Sequence, residues 1–446
     1  MIVFFSDLDL KGSGYMNITI ALANELATKY KRKVTILGIG YDGAEHHWPF
    51  QIIPVHPPQA FMFGPAILNN MCNLGEAGQN EKIDCFIVAL DIPHHERILS
   101  WRPIKEKRCP YLGIFPVESG PLTATWANIL LVLDGRCVIS QFGMKMLEGA
   151  GVMGHFLQVG IDTEAWRLPT TDERSLLREN MGMKEDEFVI LTVADNQERK
   201  NLSCTAKAIQ KLVEKYKVNA KWCIVTRTNS SVGWKLNDLA IEHKIMDRLA
   251  LFDRGIDHSK LWILNACADV FLLTSKAEGL CMPVVEAMAT GTPVVATDCT
   301  SLIEHLYEDH INKKGLRGFP IKVEYVHQDP WGNSYRHYAS SDDAAKQLFK
   351  VWKLIRNGRI QPFIDKGRAY AESREWYRAG DALNQEIESS IRQYEIKMDA
   401  IKKKGEQPST FPAPVDTINP PTVPHVISPF PVSKPLKEGE HVEETP

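Results

Sequence analysis

The chain has 446 residues, 52 Lys plus Arg against 55 Asp plus Glu, a formal net charge of −3 and nine cysteines. At ~100–200 residues per domain, this predicts two or three domains, each large enough to bury its own core. The near-neutral balance excludes a polyanion binder held by bulk charge, because no Lys/Arg run is long enough to form a basic stripe. No apolar stretch approaches the ~18–20 residues of a bilayer crossing. The opening Met1-Ile2-Val3-Phe4-Phe5 carries no basic segment or cleavage site, so it reads as a first strand and not a signal peptide. The odd, scattered cysteines lack a C-x-x-C pair, which predicts reduced thiols packed as small hydrophobes and a cytoplasmic location.

Residues 2–6 predict a strand and residues 7–14 a loop, after which Ile18, Ala21, Leu22, Leu26 and Ala27 share one helix face. Strands follow at 34–37, 85–90, 111–115 and 136–140, the rhythm of βαβ units and a parallel sheet. Around residues 166–187 the pattern changes. Pro169-Thr170 opens a polar helix in which Thr170 and Glu173 have capping-box spacing, ending near Gly182; this is the expected connection between domains. A second series follows: strand 188–193, helix 205–216, strand 222–226, helix 234–242, strand 248–252, helix 260–266, strand 270–274, helix 283–289 and strand 293–297. The expected fold class is α/β, with two Rossmann-like parallel-sheet domains, 1–165 and 188–365, facing a central cleft. A loop containing Gln328-Asp329-Pro330-Trp331-Gly332-Asn333 precedes helices from about 342 to 403, and those of 366–403 are candidates to pack back toward the first domain. Residues 404–446 hold ten of the 26 prolines and two aromatics, the composition of a disordered, partly polyproline tail.

The densest chemistry lies in Ala277-Glu278-Gly279-Leu280-Cys281-Met282-Pro283-Val284-Val285-Glu286-Ala287-Met288-Ala289-Thr290-Gly291-Thr292-Pro293. Pro283 suits the start of a helix and Gly291 the position just past its end. Gly279, Leu280, Cys281 and Met282 then present backbone N–H groups at the positive end of that helix, a site for a phosphate or a sugar oxygen. Glu278 lies before the helix and Glu286 is expected on its first turn, where both carboxylates can accept hydrogen bonds from hydroxyls of a sugar and a ribose. The residues alone fit equally well two solvated acids at a helix N-terminus. Upstream, Ala194-Asp195-Asn196-Gln197-Glu198-Arg199-Lys200-Asn201 places two adjacent cations at a strand-to-helix turn, suited to neutralising a diphosphate leaving group; a solvated basic turn is the bland alternative.

The frame E-G-x-x-x-P-x-x-E-A-M-A-x-G-x-P resembles the retaining family 4 glycosyltransferases of the GT-B fold, whose hallmark is a pair of glutamates separated by seven residues. The resemblance implies that Glu278 contacts the donor sugar, that Glu286 contacts the nucleotide ribose, and that Gly279, Leu280, Cys281 and Met282 hold sugar and phosphate. Leu280-Cys281 replaces the family's usual phenylalanine-glycine. Lys200 matches the family's phosphate-binding lysine, Asp195 stands where its arginine would be, and Arg199 is the residue placed to supply that charge. Together these imply a nucleotide diphosphate sugar as donor, a hydroxyl acceptor, transfer with retention, Glu278, Lys200 and Arg199 as catalytic residues, and no obligatory cofactor. The likeness extends over about residues 1–400.

The loop Lys11-Gly12-Ser13-Gly14 faces the donor phosphates in that family, so Gly12 and Gly14 are candidates; a plain tight turn explains them nearly as well. Asp91, His94 and Glu118, after the strands at 85–90 and 111–115, are candidates for the acceptor side. Asp7-Leu8-Asp9 is a D-x-D, which elsewhere holds a divalent cation; at the end of a first strand it reads as a polar loop, and the histidine pairs lack H-E-x-x-H spacing, so no metal is expected. Nucleic acid is not an expected partner, and oligomeric state is not legible. Two other readings stay open. One is a nucleotide-sugar epimerase of the same fold, and the other is a non-catalytic nucleotide-sugar binder or scaffold, which Asp195 and Cys281 make conceivable. A Rossmann oxidoreductase is disfavoured by the incomplete dinucleotide fingerprint.

Overall fold

Apolar runs buried on both faces cannot alternate with polar residues, and they pair here as parallel strands. The computed structural model describes residues 1–9, 14–57, 59–73, 82–231, 233–330 and 334–403. The expectation for the tail, and that for Gly12, falls outside the described residues. The first seven strands are β1 (Ile2–Asp7), β2 (Val34–Ile39), β3 (Gln51–Val55), β4 (Cys85–Ala89), β5 (Tyr111–Phe115), β6 (Gly135–Val138) and β7 (His155–Phe156). They form one sheet in the order β3-β2-β1-β4-β5-β6-β7, parallel throughout. The helices between them are α1 (Gly14–Thr28), α2 (Ala60–Asn73), α3 (Ile92–Leu99), α4 (Arg102–Lys105), α5 (Ala124–Leu131) and α6 (Gln141–Gly149). The strand expected at 136–140 stops at Val138 because Ser140 is the N-cap of α6, its hydroxyl accepting from Gly143 N–H at 3.0 Å. Strand β3 carries Pro54 and was not anticipated; it lies at the sheet edge, where a missing N–H costs no ladder bond.

The connection contains α7 (Thr171–Asn180), and its capping box forms: the Thr170 hydroxyl accepts from Glu173 N–H, and the Glu173 carboxylate accepts from Thr170 N–H. The second sheet comprises β8 (Phe188–Val193), β9 (Ala220–Thr226), β10 (Leu249–Asp253), β11 (Val270–Leu273) and β12 (Val294–Thr297), with a sixth strand introduced below. Helices α8 (Leu202–Tyr216), α9 (Leu236–Glu242), α10 (His258–Cys267), α11 (Met282–Ala289) and α12 (Leu302–Leu306) alternate with them. Beyond α12 come the small antiparallel pair β13 (Tyr307–Asp309) and β14 (Lys314–Leu316), then β15 (Phe319–Ile321), which completes the sheet order β10-β9-β8-β11-β12-β15. In both sheets the strand order reverses beside the first strand of its domain. The loops leaving that point diverge, and the crevice between them is where α/β ligands bind.

Gln328 and Asp329, expected in a loop, belong instead to β16 (Val323–Asp329), which pairs antiparallel with β17 (Ser334–Ala339); Trp331, Gly332 and Asn333 lie outside the described residues. Residues 324–328 of β16 are exposed, so no alternation of apolar and polar residues marked it as a strand.

Helices α13 (Ser341–Arg356), α14 (Gln361–Glu372) and α15 (Trp376–Lys403) close the described chain. Because α14 packs on α11, the boundary drawn at 365/366 falls inside a helix of the second domain. The chain crosses between α14 and α15, where Ile161 N–H donates to Arg374 C=O at 2.8 Å. Helix α15 returns to the first domain: Ala379, Leu383 and Ile387, spaced by four, bury their side chains in the cluster formed by Leu22, Leu26 and Ile36. Each large aliphatic so buried contributes about 1.5–3 kcal/mol. Polar bonds flank that seam, from Tyr30 Oη to Asp381 at 2.6 Å and from Arg32 Nε to Asn384 at 2.7 Å.

Candidate functional site

Strands β8 and β11 are neighbours at the reversal point of the second sheet, so the turns that follow them face each other. After β8 a 3-10 turn, Glu198–Lys200, is closed by Asn201 in the left-handed region (φ 54°), a conformation asparagine tolerates. That turn aims Lys200 and Arg199 at the loop after β11. Lys200 Nζ lies 2.6 Å from Glu278 Oε1, and Arg199 Nη1 lies 3.1 Å from Oε2 and donates to Ala277 C=O at 2.6 Å. Glu278 is held at both ends of its backbone: its N–H donates to Thr300 Oγ1 (3.0 Å) and its carbonyl accepts from Ser301 Oγ (2.8 Å). The carboxylate is 4% exposed. Burial alone would raise its pKa, but Lys200 and Arg199 outweigh burial and hold it at about 2. Both oxygens expected to meet substrate hydroxyls are thus engaged with cations.

Helix α11 begins at Met282, with Pro283 in its first two positions and Gly291, at φ 81°, just beyond its end. Starting there puts Glu286 fifth in the helix, on the second turn, and not on the first as the motif suggested. It is buried, and burial pushes its carboxyl up to about 8. The paired glutamates therefore carry opposite protonation states at neutral pH. Cys281, the N-cap, has φ 72° and ψ 76°, so the chain keeps a backbone shape suited to glycine while carrying a thiol that burial pushes up to about 12. Gly279 is required sterically, since a Cβ there would lie 2.4 Å from Cβ of Pro116 in the first domain. Leu280 is buried, and its carbonyl accepts from His305 Nε2 at 2.5 Å. His305 pairs through Nδ1 with Tyr370 Oη (3.0 Å), and burial beside Arg374 lowers its pKa to about 3. A neutral imidazole therefore bridges α14 to the loop, a support that no sequence motif announced.

The opposite wall comes from loops at the carboxyl ends of β1, β4 and β5. Tyr15 Oη donates to Asp91 Oδ1 at 2.6 Å. Glu118 reaches across the cleft to Arg199 Nη2 at 2.9 Å. Burial raises the Glu118 pKa and Arg199 partly offsets the rise. Asp9, half of the D-x-D, pairs with Arg254 of the second domain at 2.9 Å. Among the described residues no group of three or more His, Cys, Asp or Glu side chains is arranged to hold a metal.

The structure thus brings together Glu278, Lys200, Arg199 and Glu118. His94 is exposed and lies on Phe61, ring centres 5.7 Å apart. Its neighbour His95 is buried and bonded to Tyr111 Oη and Leu90 C=O, and burial lowers it to about 4. Gly14 opens α1 on the surface with nothing near a hypothetical Cβ, so close packing in the described residues does not explain it. Asp195, in the position of the family's arginine, accepts two bonds from Arg227 at 3.2 and 3.0 Å.

Residues 173–324 match the family described as Glycosyl transferases group 1. EpsD of Bacillus subtilis is 28% identical over 213 residues, 48% of this chain and 52% of that one. The lipopolysaccharide glucosyltransferase WaaG of Escherichia coli is 24% identical over 203 residues, 42% of this chain and 51% of that one. The chain therefore spans about half the length of the curated relatives it matches. Over the whole body the likeness is one of fold. A sucrose-phosphate synthase structure from Thermosynechococcus elongatus superposes with a TM-score of 0.66 at 16% identity, covering 90% of this chain and 99% of that one. HepE of Anabaena in complex with UDP-glucose gives 0.63 at 16% identity, covering 87% and 100%. No described helix is long and apolar enough to cross a membrane. With the match of residues 173–324 to the group 1 glycosyl transferases, the motif of residues 278–291 on α11 and two parallel sheets facing one cleft, this chain has the GT-B fold.

Proposed function

We propose that the protein transfers a glycosyl group from a nucleoside diphosphate sugar to a hydroxyl acceptor with retention of configuration. The observation that carries this reading is the Lys200–Glu278–Arg199 cluster at the N-terminal end of α11. A cationic turn facing a helix N-terminus in a crevice suits a leaving group that gains negative charge as its bond to the sugar breaks. HepE, a fold relative, was crystallised with UDP-glucose, which favours a uridine diphosphate hexose as the first donor to test. The C1–O bond to the β-phosphate breaks and a C1–O bond to the acceptor forms on the same face. The acceptor proton passes to the departing phosphate oxygen, giving nucleoside diphosphate and glycoside. Lys200 neutralises the departing diphosphate, Glu278 fixes Lys200 and Arg199 in place, and the N–H groups at the start of α11 meet phosphate oxygens. Glu286, neutral and buried, is suited to the ribose diol, because a carboxylic acid both donates and accepts.

The test is product analysis by NMR after incubation with UDP-, GDP- and ADP-hexoses and a panel of glycoside acceptors. A new glycoside with the donor's anomeric configuration is expected, and an inverted product would sink the retaining mechanism. A second reading, a binder without turnover, is favoured by Asp195 occupying the place of the family's arginine. Nucleotide-sugar binding with neither transfer nor hydrolysis would select it.

A further inference from the structure

We infer that Glu118 and Arg336 form a hydroxyl-recognition pair in the cleft, specific for a sugar hydroxyl; the inference rests on the sugar-transfer reading. Arg336 lies on β17 between two anchored residues. Tyr335 N–H donates to Gly120 C=O of the first domain at 3.1 Å, and His337 N–H donates to Lys276 C=O beside the donor loop at 2.9 Å. The strand therefore fastens the two walls together and carries the Arg336 side chain, 7% exposed, between them. Its Nε donates to Asp329 Oδ2 at 2.9 Å, whereas Nη1 is buried without a hydrogen-bond acceptor among the described residues. Glu118 faces it with one oxygen committed, since Oε1 pairs with Arg199 at 2.9 Å, while Oε2 stands 3.9 Å from Arg336 Nη1. That span is too long for a hydrogen bond. The nearby Lys276 does not compete for Glu118, because it pairs with Glu198 and lies 4.1 Å from the ring centre of Tyr338.

An oxygen about 2.8 Å from each of two atoms so spaced meets both at hydrogen-bond distance. The group must donate to a carboxylate and accept from a guanidinium. A phosphate or carboxylate oxygen satisfies Arg336 but is repelled by Glu118. An ammonium group has the converse fault. A hydroxyl does both, and a sugar brings several. A ligand lacking that hydroxyl would leave a buried charged donor and acceptor unpaired, and sites of this kind discriminate strongly against deoxy analogues. The hydroxyl belongs either to the donor sugar or to an acceptor sugar.

The experiment uses the full chain as wild type, Arg336→Gln and Glu118→Gln. Calorimetry measures Kd for UDP, GDP and ADP and for their glucose esters, and steady-state transfer to methyl glycosides and their mono-deoxy forms measures acceptor KM. If the donor supplies the hydroxyl, the preference for nucleotide-glucose over the bare nucleotide falls roughly 10- to 100-fold in both variants with acceptor KM unchanged. If the acceptor supplies it, that preference stays and acceptor KM rises by a similar factor, with a deoxy glycoside that the wild type rejects now used as well as its parent. Should Arg336→Gln fail to fold, Glu118→Gln decides by the same ratios. Variants that keep the wild-type preference, KM and deoxy discrimination overturn the subsite alone, as does an Arg336→Gln protein that loses bare nucleotide to the same extent as nucleotide-glucose while acceptor KM and deoxy discrimination stay at their wild-type values. A wild type that neither binds a nucleotide sugar nor transfers one overturns the sugar-transfer reading and the subsite with it.

Discussion

The two walls of the cleft carry opposite charge. The second domain presents Arg199, Lys200, Arg254 and Arg336, and the first presents Asp9, Asp91 and Glu118. They meet in cross-cleft pairs, Arg199 with Glu118 and Arg254 with Asp9, both at 2.9 Å. A cationic wall facing water would attract any polyanion, whereas one neutralised by an acidic partner admits a diphosphate only in exchange for Glu118. The near-zero net charge of the chain conceals charge pairs ordered across the cleft.

The largest effect expected from breaking this arrangement comes at Glu278. Glu278→Gln removes the counterion that holds Lys200 and Arg199, and transfer at saturating donor should fall at least ~10²–10³-fold. Circular dichroism should still report a folded chain, and full activity would remove Glu278 from the site. Removing the acid from the other wall acts oppositely. Glu118→Gln frees Arg199 from its competitor, so bare UDP should bind several-fold tighter by calorimetry, and the gain should shrink at high salt because it is electrostatic. Unchanged affinity would mean that Arg199 never reaches the nucleotide.

Glu286 sharpens the contrast within the cationic wall, because it is a carboxyl without a cation. Burial raises it from the ordinary 4.5 to about 8, so the native chain keeps a proton that the unfolded chain releases. Stability should therefore fall as pH rises from about 4.5 to about 8, and Glu286→Gln should flatten that slope in thermal unfolding. If Glu286 meets the ribose diol as the neutral acid, calorimetry at pH 7 in buffers of different ionisation enthalpy should detect no proton released on donor binding, and release of close to one proton would show that the carboxylate is the bound form. Glu278 behaves inversely. Its carboxylate, held at about 2, contributes stability that is present above the unfolded value near 4.5 and lost as pH falls through about 2.

The smallest effects are expected at Cys281. Cys281→Gly should change stability by less than about 1 kcal/mol, since relief of the positive φ is offset by glycine's greater freedom when unfolded. Cys281→Val should cost about 1–3 kcal/mol, a β-branched residue being strained at φ 72°. Equal unfolding temperatures for the two variants would contradict the left-handed assignment.

Local rules carried far in this chain. The βαβ rhythm was legible because β1, β4, β5, β8 and β11 are buried along almost their whole length and read as unbroken apolar runs. The bounds of α11 were legible because Pro283 and Gly291 each have one conformational reason to be there. Where those signals were weak, the reading failed. Strand β3 contains a proline, and β16 is solvent-facing on both sides, so neither shows the period of a strand. Helix α15 is amphipathic like many others, and nothing in its pattern says which domain its apolar stripe will cover.

The candidate site divides in the same way. Glu278, Glu286, Lys200 and Arg199 stand out in the sequence because they sit in short segments whose spacing fits a turn or a helix end and resembles a family motif, and the structure brings Glu278, Lys200 and Arg199 together. Whether Glu278 meets a hydroxyl or a cation, whether Glu286 keeps its proton, and whether Arg199 stands free or is held by Glu118 depend on residues distant in sequence. His305, Tyr370 and Arg336 carry no local signature, because an isolated histidine or arginine looks the same in any exposed segment. The amino-acid order by itself determined most of the buried strands and where the N-terminal end of α11 falls, since backbone preference and apolar periodicity act over a few neighbours. Only the tertiary structure decided which charges face one another, because pairing and desolvation arise only when both domains close around the same cleft.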